Sequence, residues 1–111
     1  MTSAAEKVLT EMTEAIVQVA DPETIILFGS HARGTANLDS AVDLLVVEKT
    51  EPGIPWNRRQ ETARIRRALS GFRVAKDILV YRADEAAKWR HSVNHIIAHC
   101  YQEGKVLYER S

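Results

Sequence analysis

The chain has 111 residues, 45% of them hydrophobic and 27% charged, and its 15 basic and 15 acidic side chains leave no formal net charge. This composition is typical of one ordinary globular domain, and it excludes a disordered chain and a global field that would attract nucleic acid or an anionic membrane. Cys100 is the single cysteine, which excludes an internal disulfide and favours a reducing compartment.

The first residues, MTSAAEKVLTEM, predict the start of a helix rather than a targeting segment. They lack the basic and apolar regions of a signal peptide, and no apolar run in the chain approaches the roughly 18 residues that span a bilayer. We therefore expect a cytoplasmic protein with a single domain over residues 1–111.

The N-terminal third predicts a helix and a buried strand. Ser3 and Glu6 form a capping pattern, and apolar residues recur at helical spacing, which predicts an amphipathic helix over residues 3–20. The strand TIILF (24–28) is apolar without alternation, as expected when both faces are buried. Gly29 ends this strand, and HARG after it predicts a short helical turn.

The rest of the chain alternates strands and helices. Strands are predicted at 41–48 (AVDLLVVE) and 74–81 (VAKDILVY), and helices at 56–70 and 83–103. Gly71 and Gly104 are expected to cap the two helices, Ser92 marks a potential break in the second, and KVLYE can add a short edge strand. The order α-β-β-α-β-α-β indicates an α/β fold, a small mixed sheet flanked by helices.

Two features of this pattern suggest phosphate and metal chemistry. Gly29 and Ser30 follow a buried strand and open a helical turn, where free backbone N–H groups favour a phosphate, although a plain strand-to-helix turn is the commoner explanation of such a pair alone. Asp43 and Asp77 lie inside apolar strands, where a carboxylate needs a partner, either in a salt bridge or turn cap or on a cation. Together they predict a Mg²⁺ site that also contacts substrate phosphates.

G-S-x-A-R-G, a gap of ten residues between Ser30 and position 41, D-L-L-V-V from Asp43, and a later K-x-D-I-L-V strand resemble the minimal nucleotidyltransferases of the DNA polymerase β-like superfamily. The resemblance covers nearly the whole chain, and it is closest to the antitoxin half of HEPN/MNT toxin-antitoxin modules. It implies that Gly29 and Ser30 hold nucleotide phosphates, with Arg33 supporting the turn or contacting phosphate. Asp43 would be the second metal-binding acid, and Asp77 the third acid and general base.

The family's first acid is missing, because Ala41 occupies its position. A methyl group supplies no metal ligand, so we expect transfer to be slower by about a hundredfold or more than with aspartate. Asp39, two residues before Ala41, is a less favoured candidate to replace part of the function of the missing acid. The intact pattern around Ala41 favours an alanine introduced into an active enzyme, and a natural variant that binds without reacting stays open.

The resemblance implies an enzyme that uses ATP and Mg²⁺ to transfer AMP to a hydroxyl, plausibly a tyrosine of a HEPN toxin, with Ala41 impairing this chain. At 111 residues there is no room for a second substrate-holding domain, so the acceptor is expected to be the partner or to be held by it. An oligomer with the toxin is compatible with this expectation. The alternative is a non-catalytic antitoxin that acts by contact alone. Transfer to an aminoglycoside is disfavoured by the short chain.

Two sets of charged residues have plainer explanations. His91, His95 and His99 are spaced to share one helix face, which we interpret as a polar stripe rather than a metal site. A basic run in the second long helix is interpreted as a solvated face, with a protein partner next and no direct nucleic acid expected; it comprises Arg58, Arg59, Arg64, Arg66 and Arg67.

Overall fold

A computed structural model describes residues 4–37 and 39–110 of the chain. It contains five helices and four strands in this part of the chain. They follow the predicted order, with the helix predicted over residues 83–103 divided in two. They are α1 Ala4–Val19, β1 Pro22–Phe28, α2 Gly29–Arg33, β2 Val42–Glu48, α3 Arg58–Ala68, β3 Lys76–Arg82, α4 Ala83–Trp89, α5 Ile96–Glu103 and β4 Lys105–Glu109. Ser3, predicted to cap α1, lies outside the described residues.

The four strands form one mixed sheet in the order β3-β2-β1-β4. β1 pairs antiparallel with both β2 and β4, whereas β2 and β3 are parallel and are connected through α3. Parallel neighbours need such a crossover, because a tight hairpin joins only antiparallel strands. The predicted mixed sheet flanked by helices is confirmed, and KVLYE is its edge strand.

Alternate strand residues pack into two apolar clusters, one on each face of the sheet. The first cluster joins the sheet to α1 and α3, and its buried members are Met12, Ile16, Ile25, Leu27, Val42, Leu44, Val46, Ile65, Leu69, Ile78 and Val80. The second joins it to α4 and α5 through Ile26, Leu45, Val47, Ala86, Ile97 and Cys100. Asp43 and Asp77 alternate with the first cluster, so they belong to the face that α4 and α5 cover.

The helix expected over residues 83–103 is two helices, and the break predicted near Ser92 is confirmed. His95 caps α5 by accepting a hydrogen bond at Nδ1 from the Ile97 N–H (3.1 Å). One helix end differs from the sequence prediction. Gly71 does not cap α3, which ends at Ala68 with Leu69 as its C-cap. Of the helices in the described residues, none combines the length and the apolar character needed to cross a membrane.

Gly104 is the C-cap of α5, as predicted, although its φ of −83° is one that any residue adopts. Glycine is required there for space. A Cβ would lie 2.5 Å from the Cys100 carbonyl oxygen and 2.8 Å from the Leu27 carbonyl oxygen, and it would overlap the Ile26 side chain. The absence of a side chain at this position therefore lets α5 turn directly into β4 against β1.

Candidate functional site

The candidate site lies where β1 ends and where β2 and β3 begin. Phe28, the last residue of β1, pairs with Asp43, and Gly29 then turns the chain into α2 with a φ of +73°. A Cβ at Gly29 would overlap the Asp43 carboxylate. Glycine is therefore required here for two reasons, the left-handed backbone and the carboxylate packed against it.

Asp43 and Asp77 are direct neighbours across the parallel strands β2 and β3. Their carboxyl groups lie within hydrogen-bonding reach, with Asp43 half-buried and Asp77 exposed. Burial raises the pKa of Asp43, and the hydrogen bond and negative charge of Asp77 raise it further, whereas His31 and Arg33 act in the opposite direction. The two acids predicted from separate strands therefore converge beside Gly29.

A divalent cation fits the chemistry of this pair. Two carboxylates in contact repel each other, and Mg²⁺ takes oxygen ligands and offsets that repulsion. The described residues contain no group of three or more His, Cys, Asp or Glu side chains that could hold a metal. The site thus offers two acids and, at the position two residues before Asp43, the methyl group of Ala41.

The remaining predicted site residues lie on α2 and in the connection that follows it. Ser30 is half-buried, and its carbonyl oxygen accepts a hydrogen bond from the Thr35 N–H (3.0 Å). Arg33 is exposed, with its positive charge close enough to act on Asp43. Asp39 is exposed in a turn, and its backbone N–H donates to Asn37 Oδ1 (2.9 Å). The roles assigned to these residues stay predictions.

The sequence analysis did not assign a role to His31, the third residue of α2. Its Nε2 lies 3.2 Å from the Ser40 carbonyl oxygen, and its charge acts on Asp43. The only signal in the sequence was its place inside the G-S-x-A-R-G stretch. His31 therefore belongs to the site by contact, although nothing in its spacing indicated a partner.

Three other features that stand out in the sequence have explanations other than metal or phosphate binding. Cys100 is buried, and burial followed by the charge of Asp43 raises its pKa to about 12, so the thiol stays protonated. The expected histidine stripe is wrong, because the helix breaks and His95 stacks on Trp89 with ring centroids 4.7 Å apart. The basic residues of α3 are exposed, as expected of a solvated face, except that Arg58 pairs with Glu85 and donates to the Val80 carbonyl (3.0 Å).

A cavity of about 630 Å³ lies between α1 and β4, where Leu9, Thr13 and Leu107 are among its lining residues, and it does not contain the two acids. Asp43 and Asp77 open instead on the other face of the sheet. The contact between the two carboxyl groups therefore identifies the candidate site, whereas the volume of this cavity does not.

Replacing Gly29 by alanine should destabilise the fold by about 1 to 3 kcal/mol, because a Cβ is strained at positive φ and displaces the Asp43 carboxylate. Urea unfolding measures this loss. Gly53→Ala is the matched control, since Gly53 has a similar φ of +84° but nothing within 4 Å of the added Cβ. Equal losses in both variants would show that the contact with Asp43 adds nothing.

Comparison with known proteins agrees with the fold. The sequence profile of the family described as Polymerase beta, Nucleotidyltransferase matches residues 10–111. A crystal structure from Sulfolobus solfataricus, provisionally named a nucleotidyltransferase, is similar in fold with a TM-score of 0.64 and 22% identity, over 94% of this chain and 79% of that chain. No curated protein sequence matches the chain.

Proposed function

Because the chain belongs to the polymerase β nucleotidyltransferase family, we propose that it binds ATP with Mg²⁺ at the turn from β1 into α2. This turn is formed by Gly29 and Ser30 and is called the Gly29–Ser30 corner below. The reaction of the site is transfer of AMP to a protein hydroxyl, and the proposed acceptor is a tyrosine of a HEPN-type toxin partner. In this role the protein is a cytoplasmic antitoxin, and Ala41 impairs its transfer step. The family membership supports the reaction class, whereas the partner follows from the resemblance of the sequence motifs alone.

The observation that carries the proposal is the convergence of Gly29, Asp43 and Asp77. They come from three strand ends, and the glycine leaves space for the carboxylate of Asp43, which in turn contacts that of Asp77. Salt bridges and turn caps, the plainer explanations for acids in strands, do not account for two carboxyl groups that face each other. Two carboxylates in such contact destabilise the fold unless a cation binds them or one of them is protonated.

Each residue of the site has a proposed task. Gly29 allows the backbone close to the triphosphate, and Ser30 offers a hydroxyl and a backbone N–H group to its oxygens. Asp43 and Asp77 would hold Mg²⁺, which when bound offsets negative charge on the phosphate oxygens. Asp77 accepts the proton of the acceptor hydroxyl, whose oxygen then bonds to the α-phosphorus as diphosphate leaves.

Ala41 favours a second candidate function, binding without transfer. With only two acids together among the described residues, the site can bind one nucleotide complex and still lack the ligand that bridges two cations. The protein would then neutralise its partner by contact. Both functions require a partner surface, and only the first requires Mg²⁺-dependent nucleotide binding.

Calorimetric titration of the chain with ATP tests the proposal. We expect binding in Mg²⁺ that is lost in EDTA, and Asp43→Asn should weaken it about tenfold or more, since that variant loses a metal ligand worth at least about 1.4 kcal/mol. Glu51→Gln is the matched control, because it removes the same charge from an exposed loop. Binding without any Mg²⁺ dependence, or equal losses in both variants, would contradict the proposed nucleotide site and favour an antitoxin that acts by contact.

A further inference from the structure

The segment from Gly34 to Ala41 connects α2 to β2 and ends two residues before Asp43. Within this connection Asn37 and Ser40 form hydrogen bonds with each other. The Asn37 N–H donates to Ser40 Oγ (3.0 Å), the Ser40 hydroxyl donates to Asn37 Oδ1 (3.3 Å), and the Ser40 N–H donates to the Asn37 carbonyl (3.1 Å). The connection is therefore an ordered turn, although these bonds alone do not determine where it sits.

Two further hydrogen bonds fasten the backbone on either side of position 41. Before it, the Ser40 carbonyl oxygen lies 3.2 Å from His31 Nε2. After it, the Val42 N–H donates to the Ala75 carbonyl (2.8 Å), two residues before Asp77. Position 41 is thus tied to α2 on one side and to the strand of the third acid on the other.

The bond from His31 has a defined direction. A carbonyl oxygen only accepts, so the His31 Nε2 must carry the proton that it donates. The two groups are nine residues apart in sequence, and both are half-buried. A half-buried tether between distant residues holds a loop more firmly than an exposed one, because water competes less for its donor and acceptor.

We propose that His31 is a positioning residue, which holds the backbone of position 41 at a set place relative to the Gly29–Ser30 corner and Asp43. This inference rests on the proposed function for its catalytic meaning. An acid at position 41 contributes to transfer only if it meets the same cation as Asp43, and a shift of about 1 Å in such a group lowers a rate severely. Through its hydrogen bond to Ser40, His31 connects the Gly29–Ser30 corner to position 41.

Hydrogen exchange tests the tether without any catalysis. In His31→Phe, which keeps a ring but no donor, the amide hydrogens of Asn37 and Ser40 should exchange about tenfold faster, while those of the central strand β2 stay unchanged. In His31→Gln, whose side-chain amide can donate to the same carbonyl, most of the protection should return. His99→Phe is the matched control, since His99 is exposed on α5. Unchanged exchange in His31→Phe, or no recovery in His31→Gln, would overturn the inference.

The catalytic consequence is measured in the Ala41→Asp background. There His31→Phe should lower kcat for AMP transfer about tenfold with KM for ATP within about twofold, because the position of the acid changes and the Gly29–Ser30 corner does not. His31→Gln should recover most of kcat. A rise in KM alone would overturn a positioning role. If the Ala41→Asp chain transfers nothing, the proposed function fails, and the exchange measurement still decides whether His31 tethers the connection.

Discussion

Ala41→Asp should raise the rate of AMP transfer by about a hundredfold or more, equivalent to about 3 kcal/mol of transition-state stabilisation. The new carboxylate would stand two residues before Asp43, and its backbone is held on both sides by hydrogen bonds at Ser40 and Val42. A third acid gives a pair of cations a shared ligand, and such cations offset charge on the attacking and leaving oxygens. Because these bonds hold the backbone of position 41, we expect the substitution to leave the surrounding fold unchanged.

The measurement is the intact mass of a candidate HEPN-type partner after incubation with ATP, Mg²⁺ and each chain. Ala41→Asn is the matched control, because it has the shape of aspartate but is a poor ligand for Mg²⁺. The added acid should also lower the thermal stability of the free chain slightly and make that stability respond to Mg²⁺, since three carboxylates repel one another. If no nucleotide is attached by the aspartate or alanine chain, the protein is not the proposed transferase.

Glu48→Gln should stabilise the fold at pH 8 and leave it nearly unchanged at pH 5. Glu48 ends β2 with a side chain only 4% exposed, and among the described residues its Oε2 has no hydrogen-bond partner. Burial, followed by the neighbouring carboxyl group of Glu61, raises the pKa of Glu48 from 4.5 to about 7. The folded protein thus keeps a proton there that the unfolded chain loses.

The sign of the pH dependence follows from that proton. Between pH 4.5 and about 7 the folded state binds more protons at Glu48 than the unfolded state does, so stability falls as the pH rises through this interval. The loss is complete above pH 7 and is on the order of a few kcal/mol, and glutamine, which cannot ionise, should avoid most of it. If the free energy of unfolding changed equally with pH in the original chain and in Glu48→Gln, this account would be wrong.

Urea unfolding at pH 5 and pH 8 gives the two free energies for the original chain and for Glu48→Gln. The difference between the chains isolates this position, because the histidines contribute equally to both. Glu103→Gln is the control, since Glu103 is exposed at the end of α5. Its effect should stay within about 0.5 kcal/mol at either pH.

The helices and strands were largely predictable because their signals are local. The apolar runs around residues 24–28 and 41–48 are strands within two residues of the predicted bounds, and the helix periodicity of residues 3–20 corresponds to α1. The helix ends were less predictable. Gly71 failed as a cap because Leu69 already ends α3, whereas the break predicted near Ser92 is present between α4 and α5.

The candidate site was predictable in its residue types and not in its contacts. Gly29, Ser30, Asp43 and Asp77 stand out because glycine after a strand and acids inside apolar strands are unusual. His31 carried no such signal, since its partner is a backbone carbonyl nine residues away. The buried position of Glu48 was equally hidden, because it depends on Glu61 and α3.

The sequence by itself determined the order of helices and strands, the absence of a disulfide, and the residues able to hold a phosphate and a cation. These follow from hydrophobic periodicity, cysteine count and side-chain chemistry, all of which are read over a few neighbouring residues. Only the tertiary structure decided that Asp43 and Asp77 meet and that Gly29 packs against Asp43. The two acids are brought together by the crossover through α3, which sets the register of two parallel strands, and such register depends on packing between segments far apart in the chain.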